Sequence, residues 1–194
     1  MQRQDVTKLA AIAALMMGLA HGVANAQPGN QAPLQVPNPT YATVPMELAV
    51  NKPAGDVWKR IGKYCDIGEW ARLACTMLSG KDGDIGSVRS VANEIMVGKT
   101  ELSYTYTQPV REGRPYNLYH GTLEVRPETA TTSKIVYTLV FDNSALADDA
   151  ARERDKQQRQ TTFMGFMQNM KILAEGGTLP PAPPRPAQGG APKQ

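Results

Sequence analysis

The sequence predicts an α+β domain: a curved antiparallel β-sheet wrapped around a long C-terminal helix, with two short helices after the first strand. Three observations carry this. Between residues 73 and 142 the apolar residues follow a two-residue period broken by turn signals. Between 143 and 179 no proline interrupts a helical pattern, and one short apolar run near residue 44 precedes Pro53 and a helical spacing.

Residues 44–50, with Met46, Leu48 and Val50 alternating, form the first strand, stopped by Asn51-Lys52-Pro53. Pro53 suits the opening turn of a helix, and Val57, Trp58, Ile61 and Tyr64 follow on one apolar face. After Cys65, residues 66–71 fit one or two helical turns with Ile67 and Trp70 on one side. An antiparallel meander comes next, with strands expected at 73–78, 85–92, 94–97, 101–108, 117–126 and 132–142. Leu102, Tyr104 and Tyr106 alternate with Ser103, Thr105 and Thr107, and Ile135, Tyr137, Leu139 and Phe141 with polar partners, so one face is apolar and the other wet. Asn143 or Ser144 caps a last helix over 146–175, about 45 Å long at 1.5 Å per residue. Its first half is charged or amide. Its second half carries Phe163, Met164, Phe166, Met167, Met170, Ile172 and Leu173, and only that half is suited to cover a sheet.

The ends differ from this core. Arg3 and Lys8, the apolar stretch that follows them and Ala24-Asn25-Ala26 make residues 1–26 a secretory signal peptide cut after Ala26, which places the mature chain in the periplasm or outside the cell. The apolar stretch is too short for a comfortable membrane span of about 30 Å, so no stable span is expected after cleavage. Residues 27–42 read as an unstructured segment, 43–176 as the folded domain, and 177–194, with six prolines, as a Pro-rich tail. Cys65 and Cys75, the only cysteines, are read first as a disulfide, with two buried thiols as the alternative. Two thiols with no neighbouring histidine do not fill a zinc shell, and no metal or cofactor is expected. With 21 basic against 18 acidic residues the chain lacks a concentrated basic face, which argues against nucleic acid. A mean hydropathy of -0.38 excludes a polytopic membrane protein. Phosphate-loop, zinc-protease and lipase motifs do not occur.

An antiparallel sheet with one apolar face must bury it, and a single helix covers only a stripe, so a cavity is expected between the two. The element order resembles the helix-grip fold of the SRPBCC (START/Bet v 1-like) superfamily. Its bacterial polyketide cyclase/dehydrase and lipid-transport branch is matched in order by 50–58 (VNKPAGDVW), 67–70 (IGEW), 83–89 (GDIGSVR) and 119–125 (YHGTLEV), a resemblance spanning roughly 45–175. Tyr137 stands where many relatives place a tryptophan, and the polar first half of the last helix is unusual. The resemblance implies an internal pocket for a hydrophobic small molecule or lipid, while the chemistry does not transfer with the fold.

Candidate pocket residues follow. Arg89, where it points inward, pairs with a ligand carboxylate or with Glu94, outward snorkelling being the alternative, and alternation puts it on one face with Ile85 and Val91. Tyr104, Tyr106, Tyr119 and Tyr137 each offer an apolar ring with one hydroxyl, suited to line a pocket, with ordinary core packing as the alternative. Phe163, Met167 and Met170 make an adaptable wall. His120, the one histidine left after signal cleavage, is a satisfied sheet residue or, in an enzymatic alternative of the cyclase/dehydratase type, an acid–base group acting with Tyr104, Arg89 and Glu94. A further alternative is a protein-interaction module using the tail and the charged half of the last helix, with no partner specified.

Overall fold

In the computed structural model, residues 39–110 and 117–181 are described. The signal peptide, most of the 27–42 segment, the turn at 112–114 and the tail from 182 onward lie outside the described residues. One seven-stranded antiparallel sheet carries the fold. Its strands are β1 (Tyr41–Val50), β2 (Met77–Ser79), β3 (Val88–Arg89), β4 (Glu94–Thr100), β5 (Ser103–Thr107), β6 (Tyr119–Pro127) and β7 (Ser133–Asp142), in the order β1-β7-β6-β5-β4-β3-β2. The helices are α1 (Ala54–Ile61), α2 (Ile67–Trp70) and α3 (Asp149–Ala174). This is the curved sheet, the two short helices and the long closing helix that the sequence predicts.

Alternation sets the inner face. In β6, Tyr119, Leu123 and Val125 are buried with Gly121 between them, and in β7 Ile135, Tyr137, Leu139 and Phe141 are fully enclosed. The register Tyr106↔Gly121↔Leu139 places small beside large across three strands. At α1, Val57 N–H donates to the carbonyl of Pro53, and Ala54, Val57 and Ile61 face the core. α3 buries Met167, Met170 and Leu173, while its first half holds exposed ion pairs such as Arg152–Asp149. It ends in a Schellman motif, with Gly176 N–H on the Leu173 carbonyl and Gly177 N–H on that of Ile172.

Several boundaries move, each for a local reason. β1 begins at Tyr41, inside the segment expected to be unstructured, because ten residues pair with β7 from Tyr41↔Asp142 to Val50↔Ser133. The expected strand at 73–78 shrinks to Met77–Ser79: Leu73 N–H bonds back to the carbonyl of Gly68, and the Cys65–Cys75 disulfide ties the stretch to the helical corner. The expected strand at 85–92 keeps only Val88–Arg89. Gly86 has φ +87°, which breaks the pleat, so Ile85 is 63% exposed and does not share the face of Arg89. The cap of α3 is Asp148, whose Oδ1 accepts from Ala151 N–H at 2.6 Å, and neither Asn143 nor Ser144. The Asp142 carboxylate holds Ser144 and Asn117 instead, closing the end of β7. Past α3 the chain packs Leu179 on the core, and Arg72 donates a hydrogen bond to the Pro180 carbonyl.

Candidate functional site

Strand β3 is two residues long and carries one inward side chain, Arg89, at 0% exposure. A guanidinium there needs partners, and the neighbouring strand supplies the first. Arg89↔Glu94 face each other across β3 and β4, so Nε donates to Glu94 Oε2 at 2.6 Å and Nη2 lies 2.5 Å from the same oxygen. Nη1 donates to the Tyr64 carbonyl at 2.5 Å and reaches the Tyr104 hydroxyl at 3.4 Å, and Gln108 Nε2 donates to Glu94 Oε1 at 2.9 Å. The rings of Tyr64, Tyr106 and Tyr104 stand 4.2, 4.9 and 5.7 Å from the guanidinium carbon. Burial alone would pull the Arg89 pKa down, but at the high pH where a guanidinium would titrate, the phenolate that Tyr104 then becomes and the Glu94 carboxylate outweigh it and hold it above the usual value. Burial also pushes the Tyr64, Tyr104, Tyr106 and Tyr137 phenols up, so all four stay neutral at physiological pH. Of the two readings of Arg89, the structure shows the ion pair with Glu94.

Beyond this cluster the interior is filled. The Tyr106 and Tyr137 hydroxyls bond at 2.9 Å across Gly121, where an added Cβ would lie 2.4 Å from the Tyr106 ring. The Tyr137 ring packs on Phe163 at 4.9 Å, and Met167 and Met170 are completely buried. Tyr119 packs on Phe141 and beneath the Arg159 guanidinium. Among the described residues, the hollow expected directly between sheet and α3 is therefore occupied by the same side chains, Tyr106, Tyr119, Tyr137, Phe163, Met167 and Met170, that were expected to line it. Side-chain length is the cause: the phenol rings of β5 and β7 meet over Gly121 of the strand between them.

Open space lies at one end instead. A half-open pocket of about 480 Å³ sits between the end of α1 and the β4–β5 hairpin, walled by Trp58, Met96 and Tyr104 and rimmed by Lys99, Thr100 and Glu101. The Trp58 and Tyr104 rings stand 5.8 Å apart at 52°, forming two sides of an aromatic corner. Tyr104 is the one sequence-predicted site residue in this wall, and it links the pocket to Arg89 behind it. Trp58 and Met96 were not singled out as site residues, since Trp58 sits on the apolar face of α1 and reads as core. The nearby signal is a pair of backbone-thin positions, Gly62 and Gly83, that line the pocket with the tryptophan.

His120 faces the other side of the sheet. It pairs with Thr107 and Val140 in the register, on the face opposite Tyr104 and Tyr106, and partial burial lowers its pKa. Arg89, Glu94 and Tyr104 converge, but the four-residue constellation that includes His120 does not form.

No family model matches the sequence, and no curated protein matches it. Solved structures do. A protein from Thermobifida fusca is similar at 23% identity and a TM-score of 0.57, covering 70% of this chain and 95% of its own. A protein from Nitrosospira multiformis is similar at 20% identity and TM-score 0.54, covering 68% and 94%. An aromatase/cyclase from Streptomyces sp. R1128 is similar at 16% identity and TM-score 0.54, covering 72% of this chain and all of its own. The architecture is thus a helix grip, a sheet closed by its C-terminal helix. It is the fold of the SRPBCC (START/Bet v 1-like) superfamily.

Proposed function

We propose that this chain is an exported protein that binds a hydrophobic or amphipathic small molecule in the pocket at the mouth of the grip. The observation that carries the reading is the aromatic corner of Trp58 and Tyr104 over Met96, enclosing about 480 Å³, a volume in the range of small-molecule sites. A greasy wall with a few polar rim groups holds an apolar body and leaves a polar end wet. Behind it, the buried Arg89–Glu94 pair and its tyrosines form a backstop in which Arg89 Nε and Nη1 are hydrogen-bonded. Binding without turnover is the simpler outcome of this geometry, because the neutral phenols and the paired carboxylate offer no free base and His120 faces away. Export rests on the signal-like residues 1–26 and on the Cys65–Cys75 bond, which suits an oxidising compartment. Among the described residues, no helix is long and apolar enough to cross a membrane.

The test is native mass spectrometry of protein purified from the periplasm of an expressing bacterium, paired with titration of a fluorescent apolar probe. A co-purifying molecule of lipid or polyketide size, and probe binding that Trp58→Ala weakens at least tenfold, are expected. Protein that is always empty and binds no probe overturns the reading.

A further inference from the structure

The pocket does not end at Trp58. A second depression of about 290 Å³ shares Trp58, Gly62 and Gly83 with it and adds Lys59, Lys63 and Asp82. The two meet at a low saddle. The indole lies against Gly62, where an added Cβ would come within 2.5 Å of it, while an added Cβ at Gly83 would meet nothing within 4 Å. Together the depressions form one elongated groove with an aromatic middle.

The charges along this groove are unevenly committed. Lys99 is tied to the saddle, its ammonium donating to the Gly83 carbonyl. Asp82 Oδ1 accepts the Tyr64 N–H at 2.8 Å, and the nearby Asp66 Oδ2 accepts the Lys63 N–H at 2.9 Å. The carboxylates at that end therefore serve backbone donors. Lys59 and Lys63 are exposed, and neither ammonium lies within ion-pair distance of a carboxylate among the described residues. One end of the groove is apolar and the other presents two exposed lysines in no close ion pair, with Asp82 in the same wall and Asp66 near enough to Lys63 to feel its charge.

Resting on the binding reading above, we infer that the ligand is an elongated amphipath with an acidic head group. Its apolar body lies in the Trp58–Tyr104–Met96 pocket, its chain crosses the Gly62–Gly83 saddle, and its carboxylate or equivalent anion sits between Lys59 and Lys63. Exposed lysines attract an anion modestly and in a salt-dependent way, so they tune selectivity while the aromatic corner supplies most of the affinity.

The experiment compares 6-(2-naphthyl)hexanoic acid with its primary amide, titrated against the full mature chain by fluorescence. The acid is expected to bind about fivefold tighter than the amide at low salt. That ratio should fall toward one in 0.5 M NaCl and in the Lys59→Gln/Lys63→Gln variant, while Lys156→Gln on α3 keeps it. Equal binding of acid and amide to the wild-type chain overturns the head-group inference and leaves the binding reading standing. An acid preference that survives the double substitution also overturns it, by placing the anion elsewhere. If neither probe binds, the pocket reading falls and this inference with it.

Discussion

Two regions of the same concave face contrast. Under the second half of α3, Tyr106, Tyr137, Met167 and Met170 are buried, with the partly buried Phe163 packed on Tyr137 at the edge. At the far end, the half-buried Trp58 borders an opening of about 480 Å³, with Tyr104 and Met96, each only 2% exposed, behind it. Residue type does not distinguish them. What differs is cover: α3 lies across the first region, whereas the second is bounded by a hairpin tip and the end of the eight-residue helix α1. Where two elements press from opposite sides the aromatics become core, and where one element stops short the same chemistry becomes a wall.

The largest effect that would break this contrast comes from the cluster joining the two regions. Glu94→Ala strands a buried guanidinium and is expected to cost about 3–5 kcal/mol in urea unfolding, while Arg89→Met/Glu94→Leu costs less than the single change. A loss under 1 kcal/mol for Glu94→Ala would mean that Arg89 reaches water. Next is the corner beside the pocket. Removing the disulfide by Cys65→Ala/Cys75→Ala should cost roughly 2–3 kcal/mol, seen as a lower unfolding midpoint with unchanged far-UV dichroism. In the filled region, Gly121→Ala drives a methyl into the Tyr106 ring and should cost about 1–3 kcal/mol, with probe affinity at the other end little changed. Strongly altered probe binding would show that the two regions are one cavity.

The smallest effect concerns the outer face. Burial depresses the His120 pKa below its unfolded value of about 6.5, so the folded chain binds fewer protons than the unfolded one. The associated stability is complete above about pH 6.5 and is lost as pH falls through the depressed folded value. His120→Gln should flatten that slope and leave ligand affinity untouched. An affinity change would return His120 to the site.

Much of this was legible in the residues. Alternation over 102–107, and over 135–142 apart from Val136 and Val140, defines an inner face because a pleated strand has only two sides, and Arg89 with Glu94 five residues on needs only one tight turn to pair. The face of Ile85 was misread because one glycine at positive φ resets the alternation. The cap of α3 was placed too early because Asp142, Asn143 and Ser144 all look like caps, and only the folded chain shows that they serve the strand end. The hollow was misplaced for a different reason. Periodicity reports direction and says nothing of how far a side chain reaches, so two phenols meeting over a glycine are invisible until the register is known. Trp58 reads as core rather than site because an indole on the apolar face of a helix has the pattern of a core residue.

The glycine at 121 has a consequence for reading relatives of this chain. Its missing methyl and the long ring at 106 form a size trade across adjacent strands. Any homologue that puts a bulky residue at the first position must shorten the second, and losing that ring withdraws the bolt drawn across to Tyr137. A simple inspection of those two columns would then sort solid grips from hollow ones before a single coordinate is known.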